Sequence, residues 1–261
     1  MTRLVKNDIV HTNNIKKKFT FRFYAELNDF LPPEKKQKRF DHSFKTPISV
    51  RETLESIGIP LSEVDLILVN DKSVDLKHKL KEGDHISVYP VFESMDISTV
   101  SKIRKQGLRN TSFILDAHLG KLAKYLRMLG FDSLYSTDID DDEIIKVAKK
   151  EKRIILTRDK LLLKSKEVSH GYYVRSIDKH DQLREVVKRF DLPSQFRSFT
   201  RCMTCNAKLV KINKEKIRDK IEPDTFRLYD EFYYCLSCKK VFWKGSHFER
   251  MEQLILTLIN P

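Results

Sequence analysis

Apolar and polar residues alternate in the first third of the chain, as they do in strands that bury one face. Ser49 and Glu52 form the pattern of a capping box, which predicts a helix that runs through Ile57 and ends at Gly58. Together with four strand patterns, this helix predicts a small ββαββ module. The predicted strands cover 19–24, 40–44, 66–69 and 85–89.

After residue 111, short apolar runs alternate with amphipathic segments of helical period. Alternating strands and helices indicate a parallel sheet with helices on its faces. Gly130 is expected just beyond the end of the first of these helices, and a further helix over 248–259 closes the chain. The predicted strands are 112–116, 133–136, 153–158 and 172–175, and the predicted helices are 117–129, 141–151, a short one from 160, and 181–190.

Acidic residues follow two of these apolar strands. Asp116 ends the strand at 112–116, Asp159 follows 153–158, and an acidic cluster at 138–143 opens a helix between them. Carboxylates at the carboxyl ends of neighbouring parallel strands converge on one sheet edge, where they repel one another unless a divalent cation lies among them. A Mg²⁺ or Mn²⁺ site of this kind is suited to hydrolysis of a phosphodiester.

Each of these acids also has a purely structural explanation. Asp116 and Asp159 can cap the helices that follow them, and Asp141 or Asp142 can cap theirs. Capping alone does not require all of them at one sheet edge, nor Thr157 two residues before Asp159, where a hydroxyl can support a carboxylate. The pattern therefore favours the metal site.

The chain has a large excess of positive charge. It has 261 residues, with 50 Lys and Arg against 37 Asp and Glu, a net charge of +13. This excess favours a polyanionic partner, and RNA is the expected one, with the ribosome or a tRNA as candidates; a merely solvated basic surface is the alternative. No apolar run is long enough to span a membrane and no secretory signal precedes the first strand, so a cytoplasmic protein is expected.

Four cysteines form two C-x₂-C pairs, at 202–205 and 235–238, separated by 29 residues. Thiolates with this spacing suit tetrahedral Zn²⁺, and four protein ligands leave no open position, so the ion is predicted to be structural. A redox role is the less favoured alternative because two such pairs lie in one segment. Aromatic residues on both sides of the second pair, at 232–234 and 242–243, can stack on bases but are more often ribbon core.

Two resemblances refine these expectations. The order of elements in the first module resembles the β-grasp, or ubiquitin-like, fold, and 66–91 resembles its sulfur-carrier branch. Sulfur carriers act through a free C-terminal Gly-Gly, whereas this chain continues into another domain, so an interaction or RNA-docking module is the better expectation, with a purely structural module as the alternative. The second resemblance is carried by four segments, which read FILD at 113–116, LGKLAKYLRMLGFD at 119–132, DDDEII at 140–145 and RIILTRD at 153–159.

Those four segments resemble the PIN-like ribonuclease family named for the C-terminal domain of the Mut-seven exonuclease, whose members carry an appended zinc ribbon and in some cases an N-terminal ubiquitin-like domain. The resemblance implies that Asp116 and Asp159 are metal-binding acids and that Asp141, or alternatively Asp142, is the middle one. Asp178 is the nearest candidate for a fourth acid, although it fits poorly. The predicted phosphate contacts are Lys121, Lys124, Arg127 and Arg158, with a solvated surface position as the favoured alternative for each base taken alone.

The sequence therefore predicts an α/β fold with a PIN-like parallel sheet, a zinc ribbon and a β-grasp domain. The expected organisation is a flexible N-terminus (1–17), a β-grasp domain (18–95), a basic linker (96–111), a nuclease domain (112–197), and a zinc ribbon with a closing helix (198–261). The predicted function is metal-dependent cleavage of RNA, and the alternative is a non-catalytic RNA- or ribosome-binding protein. The sequence does not predict the oligomeric state.

Overall fold

The apolar positions of the first alternating segment, Phe19, Phe21 and Phe23, are fully buried. They lie in a computed structural model that describes residues 16–45, 48–90, 100–103 and 111–259. Contacts divide the chain into two units. Among the described residues, the first unit contains 16–59, 64–90 and 100–103, and the second contains 60–63 and 111–259.

The first unit is a five-stranded sheet with one helix, α1 (Val50–Ile57). The strand order is β2-β1-β5-β3-β4, with β1 parallel to β5 and the other pairs antiparallel. The predicted ββαββ order is thus confirmed, and Ser49 and Glu52 form the predicted capping box. The strands are β1 (Lys16–Phe23), β2 (Phe40–Lys45), β3 (Val64–Val69), β4 (Lys72–Ser73) and β5 (His85–Pro90).

Two details of this unit differ from the prediction. β1 begins at Lys16, inside the segment predicted to be flexible, because Lys16 and Lys17 continue the pairing with β2. Part of the predicted linker also has local contacts, since the Ser101 hydroxyl donates to the Asp65 carbonyl. The predictions for 1–15, 91–99 and 104–110 lie outside the described residues.

The second unit contains the predicted parallel sheet, with strand order β7-β6-β8-β9. Helices cover both faces: one apolar core lies under α2, α5 and α7, and a smaller one lies under α3 and α4. The strands are β6 (Ser112–Leu115), β7 (Asp132–Tyr135), β8 (Ile154–Thr157) and β9 (Gly171–Tyr173). The helices are α2 (Gly120–Met128), α3 (Asp141–Glu151), α4 (Lys160–Lys164), α5 (Lys179–Arg189) and α7 (Ser246–Ile259).

Gly130 lies just beyond the end of α2, as predicted. The structure gives two reasons for a glycine at this position. Its φ is +97°, and a Cβ at this position would lie 2.2 Å from the carbonyl oxygen of Arg197. Any side chain would therefore clash with a backbone atom as well as being strained. The chain can turn into β7 here while 197–199 pairs with the end of α2.

Between α5 and α7 lies a small antiparallel sheet that carries the cysteines. Its strand order is β10-β11-β12, and it packs on its own apolar core around Ile217 and Phe232. The long insertion between the two cysteine pairs contains β10 and a helix, α6. These elements are β10 (Leu209–Ile212), α6 (Pro223–Leu228), β11 (Phe232–Cys235) and β12 (Val241–Trp243). Within the described part of the chain, no helix is long and apolar enough to cross a membrane.

Candidate active site and metal centre

Asp116 lies immediately after β6 and is almost fully buried, with 6% of its surface exposed. One carboxylate oxygen accepts a hydrogen bond from the His118 amide at 2.9 Å. The other accepts from the Arg158 amide at 2.8 Å and from the Thr157 hydroxyl. Three donors from two neighbouring strand ends therefore fix the orientation of this carboxylate.

Thr157 connects Asp116 with Asp159. While its hydroxyl donates to Asp116, the hydroxyl oxygen accepts from the Asp159 amide at 2.8 Å. The Asp159 side chain accepts from the Leu161 amide at 2.7 Å and caps α4. Adjacent parallel strands β6 and β8 thus bring two of the predicted acids to one edge of the sheet, and both acids also serve as caps.

The acidic cluster at the start of α3 is arranged differently from the capping prediction. Asp140 is the cap, because its carboxylate accepts from the Glu143 amide at 2.8 Å; neither Asp141 nor Asp142 holds that position. Asp141 and Asp142 form the exposed first turn. Both carboxylates are therefore free of the capping bond.

Asp141 is electrostatically coupled to the other acids. Although this side chain is largely exposed, partial desolvation raises its pKa, and the negative charges of Asp159, Asp116 and Asp142 raise it further. Asp141 opens the helix that follows β7, the neighbour of β6, so all three acids follow adjacent strands at one edge of the sheet. Asp142, by contrast, lines a separate groove with three lysines of α3.

The three acids do not approach as closely as the cysteines do. Among the residues that the structure describes, the four cysteines are the one group of three or more Cys, His, Asp or Glu side chains already close enough to share an ion, so the acids would have to draw closer to bind one together. Asp178 caps α5, accepting from the His180 and Asp181 amides, and these bonds lower the pKa of its carboxyl group.

An open groove of about 900 Å³ begins beside Asp116. Ala117 and His118, the two residues after Asp116, line it, and Lys121, Lys124 and Lys179 contribute positive charge to it. Lys121 and Lys124 were predicted phosphate contacts. Lys179 and His118 were not predicted to contact substrate, because both lie outside the four segments that carry the family resemblance.

Arg127 does not line this groove, and its predicted contact with substrate is corrected by the structure. Only 4% of the residue is exposed. Its guanidinium donates to the carbonyl oxygens of Ser133 at 2.9 Å, Met203 at 3.2 Å and Thr204 at 2.9 Å. Arg127 therefore connects α2 with β7 and with the first cysteine pair.

Replacing Arg127 by Leu is expected to lower the free energy of unfolding by about 2–3 kcal/mol, because three carbonyls would lose a charged donor in a buried position. Urea denaturation followed by circular dichroism measures this change. The matched control is Arg184→Leu on α5, an exposed arginine whose ion pair with Asp181 is worth about 1 kcal/mol or less. Equal stability of the two variants would contradict the structural role of Arg127.

Arg158 also has structural contacts. One guanidinium nitrogen donates to the carbonyls of Val174, Arg175 and Ser176, at distances of 2.6–3.1 Å. Its amide meanwhile donates to Asp116. Arg158 thus fixes the end of β9 against the end of β8, and the groove beside Asp116 is lined by other cations.

The four cysteine sulfurs form a compact cluster. All lie within 4.8 Å of one another, with Cys202 and Cys238 3.5 Å apart and Cys205 and Cys235 3.3 Å apart. Sulfurs bound to tetrahedral Zn²⁺ at ~2.3 Å are separated by about 3.8 Å, so the donor set fits this ion. Four thiolates would complete its coordination, which is typical of a structural site.

The cysteine ribbon is attached to the start of β7 by a polar network around Asp132. The Asp132 carboxylate contacts Arg153 at 2.7 Å, Arg201 at 3.2 Å and the Asn206 side-chain amide at 2.8 Å. Although burial raises the pKa of Asp132, the hydrogen bonds from Arg153 and Asn206 outweigh it and hold the pKa below its usual range. The ribbon is thus part of the second unit's framework.

A parallel sheet with acids after adjacent strands, joined to a four-cysteine ribbon, defines a nuclease-like α/β domain with an appended metal centre. Two family comparisons agree with this class. Residues 111–255 match the Mut7-C RNAse domain, and residues 16–96 match the Mut7-C ubiquitin domain. The chain therefore belongs to the Mut7-C RNAse domain family and carries its ubiquitin-like N-terminal domain. No curated protein and no solved structure matches the chain.

Proposed function

We propose that the chain is a divalent-metal-dependent ribonuclease in which Asp116, Asp141 and Asp159 hold Mg²⁺ or Mn²⁺. The observation that carries the proposal is the coupling of these three carboxylates. Thr157 links Asp116 with Asp159, and the charges of both raise the pKa of Asp141. Oxygen donors with mutual repulsion are what a hard cation stabilises. The same coupling supports Asp141 over Asp142 as the middle acid.

The residues of the chain would prepare this site for hydrolysis. The amides of His118 and Arg158 and the Thr157 hydroxyl orient Asp116, while the Leu161 amide orients Asp159. A bound divalent cation would supply an acidified water and offset the charge that develops on the phosphate. No nucleophilic side chain is required.

The groove beside Asp116 gives the substrate a path to these acids. Lys121 and Lys124 are exposed on successive turns of α2, and Lys179, the first residue of α5, also lines the groove. Three cations along an open groove suit a phosphate backbone and give affinity without sequence preference. RNA is the substrate that the family match indicates.

The direct test is cleavage of a labelled single-stranded RNA by zinc-loaded protein that has been dialysed free of other divalent ions. Cleavage is expected to appear when Mg²⁺ or Mn²⁺ is added and to be absent without them. Omission of chelators matters, because they would also strip the cysteine site. Cleavage that is independent of added cations, or binding without cleavage across varied RNAs, would refute the proposal.

Alanine at both Lys121 and Lys124 is expected to raise KM about tenfold, with a smaller change in kcat, because phosphate contacts contribute to binding more than to chemistry. The slope of log affinity against log salt concentration should become smaller by about two, roughly one for each phosphate contact that is lost. The control is Lys146→Ala with Lys150→Ala, two lysines that line the separate groove near Asp142. A larger effect of the control pair would place the RNA path there instead.

One observation favours a second candidate, a non-catalytic RNA-binding protein. Asp116, Asp140 and Asp159 all cap helices, so their sequence positions have a structural explanation. This explanation does not cover Asp141, which makes no capping bond. Cleavage assays on Asp141 and Asp159 variants therefore separate the two candidates.

A further inference from the structure

A pocket of about 330 Å³ lies between the cysteine ribbon and α7, and the proposed chemistry at the acids does not use it. Five aromatic residues line it, together with two methionines, a leucine and a few polar or basic side chains. The aromatic residues are Phe199, Tyr233, Phe242, Trp243 and Phe248.

The pleat of β11 explains why some ribbon aromatics form a core and others do not. Phe232 and Tyr234 are buried and pack with Ile217 inside the ribbon. Tyr233, between them, points to the opposite face and is only half-buried. Its cross-strand partner on β12 is Phe242, so two rings stand side by side on the pocket face.

Within the part of the chain that the structure describes, no other ring packs on the faces of these two rings. Among the described residues, neither Tyr233 nor Phe242 forms a ring–ring pair, whereas Phe199 and Phe248 pack together with centroids 4.3 Å apart. Trp243, whose ring contacts are with Tyr229 and Phe232, is 37% exposed and also lines the pocket. The pocket thus offers the flat apolar faces of Tyr233 and Phe242, together with the packed pair Phe199 and Phe248. Such surfaces suit a planar ring better than an aliphatic chain.

Charge indicates which planar group enters. From residue 197 to 259 the chain has thirteen Lys and Arg against eight Asp and Glu, and Lys244 at the pocket keeps a half-exposed side chain while it pairs with Glu231 at 3.2 Å. A basic surface around an aromatic pocket is complementary to a ligand that combines flat bases with phosphates. We infer that this pocket binds an unstacked nucleobase of single-stranded RNA. The inference extends the proposed ribonuclease function, on which it rests for the choice of RNA.

The pocket lies at the other end of the parallel sheet from the acids. The Phe199 amide donates to the Met128 carbonyl and Arg201 to the Gly130 carbonyl, just before β7 begins. Asp116 and Asp159 follow the ends of β6 and β8. A strand of four residues spans about 13 Å, so a base in the pocket and a phosphodiester at the acids must be separated by several nucleotides. The pocket would anchor the strand away from the cleavage position.

The chain contains a single tryptophan, Trp243, so its fluorescence reports directly on the pocket. The experiment titrates full-length, zinc-loaded protein without Mg²⁺ or Mn²⁺, using an unstructured RNA oligomer and an abasic oligomer of the same length. Both probes carry the same phosphates, but only one carries bases. Phe242→Leu and Tyr233→Leu test the pocket, and Phe226→Leu is the control, since Phe226 lies under Lys214 and Arg218 outside it.

We expect the base-bearing oligomer to change Trp243 emission and the abasic oligomer to leave it unchanged. Each pocket variant should bind the base-bearing oligomer about tenfold more weakly, and the control should bind as the parent does. Equal responses to both probes, no response to either, or unaltered affinity in both folded variants would overturn the inference. Since no cleavage is measured, these outcomes are independent of the nuclease proposal, which the aspartate variants test.

Discussion

Replacing Asp159 by Asn is expected to reduce RNA cleavage on the order of 10³-fold while leaving the protein folded and able to bind RNA. Asn can still accept the Leu161 amide and cap α4, but it removes one negative charge from the proposed cation site. Asp141→Asn should reduce cleavage to a comparable extent, because it also removes one negative charge from the proposed cation site. It should not disturb folding, since Asp141 is exposed and makes no capping bond. Single-turnover cleavage and RNA binding, measured on the same samples, provide the comparison.

The matched control is Asp75→Asn in the β-grasp domain. Asp75 accepts the amide two residues along the chain, from Lys77 at 2.9 Å, just as Asp159 accepts from Leu161. If the acids were only caps, the control and the site variants would behave alike. Asp116→Asn is less informative, because it also replaces an oxygen that accepts from Thr157 and Arg158. Wild-type cleavage by both Asp159→Asn and Asp141→Asn would refute the proposed site.

Loss of the four-cysteine centre is expected to unfold the ribbon. Cys202 and Cys235 are fully buried, and a structural Zn²⁺ contributes about 10–16 kcal/mol to the folding of small zinc domains. Cys235→Ser should therefore lose bound zinc and lower the melting temperature. Hydrogen exchange should increase most in β10–β12, and next at the start of β7, where Asn206 and Asp132 attach the ribbon.

The control for this change is Ser237→Ala, which alters the same turn without removing a thiolate. Metal analysis of the parent protein should give one zinc per chain, and Cys235→Ser should give less. A parent protein that contains no zinc after native purification, or a Cys235→Ser variant as stable as Ser237→Ala, would contradict a structural zinc centre.

Hydrophobic periodicity was sufficient to predict most elements of both units. The alternation at 19–24 and the amphipathic pattern after 116 each depend on one buried face, which local spacing reports directly. Local spacing does not report very short strands or strand ends that depend on distant pairing, and these were not predicted. β4 has only two residues, and the start of β1 at Lys16 depends on pairing with Lys45, 29 positions away.

The candidate site was partly predictable from strand ends and cysteine spacing. Local sequence and chain topology are enough to place Asp116 and Asp159 after adjacent strands. The spacing of the cysteine pairs is likewise enough to predict that the four cysteines cluster. The predicted substrate contact of Arg127 does not hold, because distant segments bury its guanidinium. Its carbonyl partners, Met203 and Thr204, lie more than seventy residues away, and no periodicity reports such a contact.

Anomalous scattering from crystals soaked in Mn²⁺ would show whether Asp116, Asp141 and Asp159 share a divalent cation, as we propose. We predict an anomalous peak within bonding distance of carboxylate oxygens from at least two of these residues, separate from the zinc peak at the cysteines. The same soak of Asp159→Asn crystals should weaken or abolish it. Well-ordered crystals with no manganese peak near these acids would contradict the account.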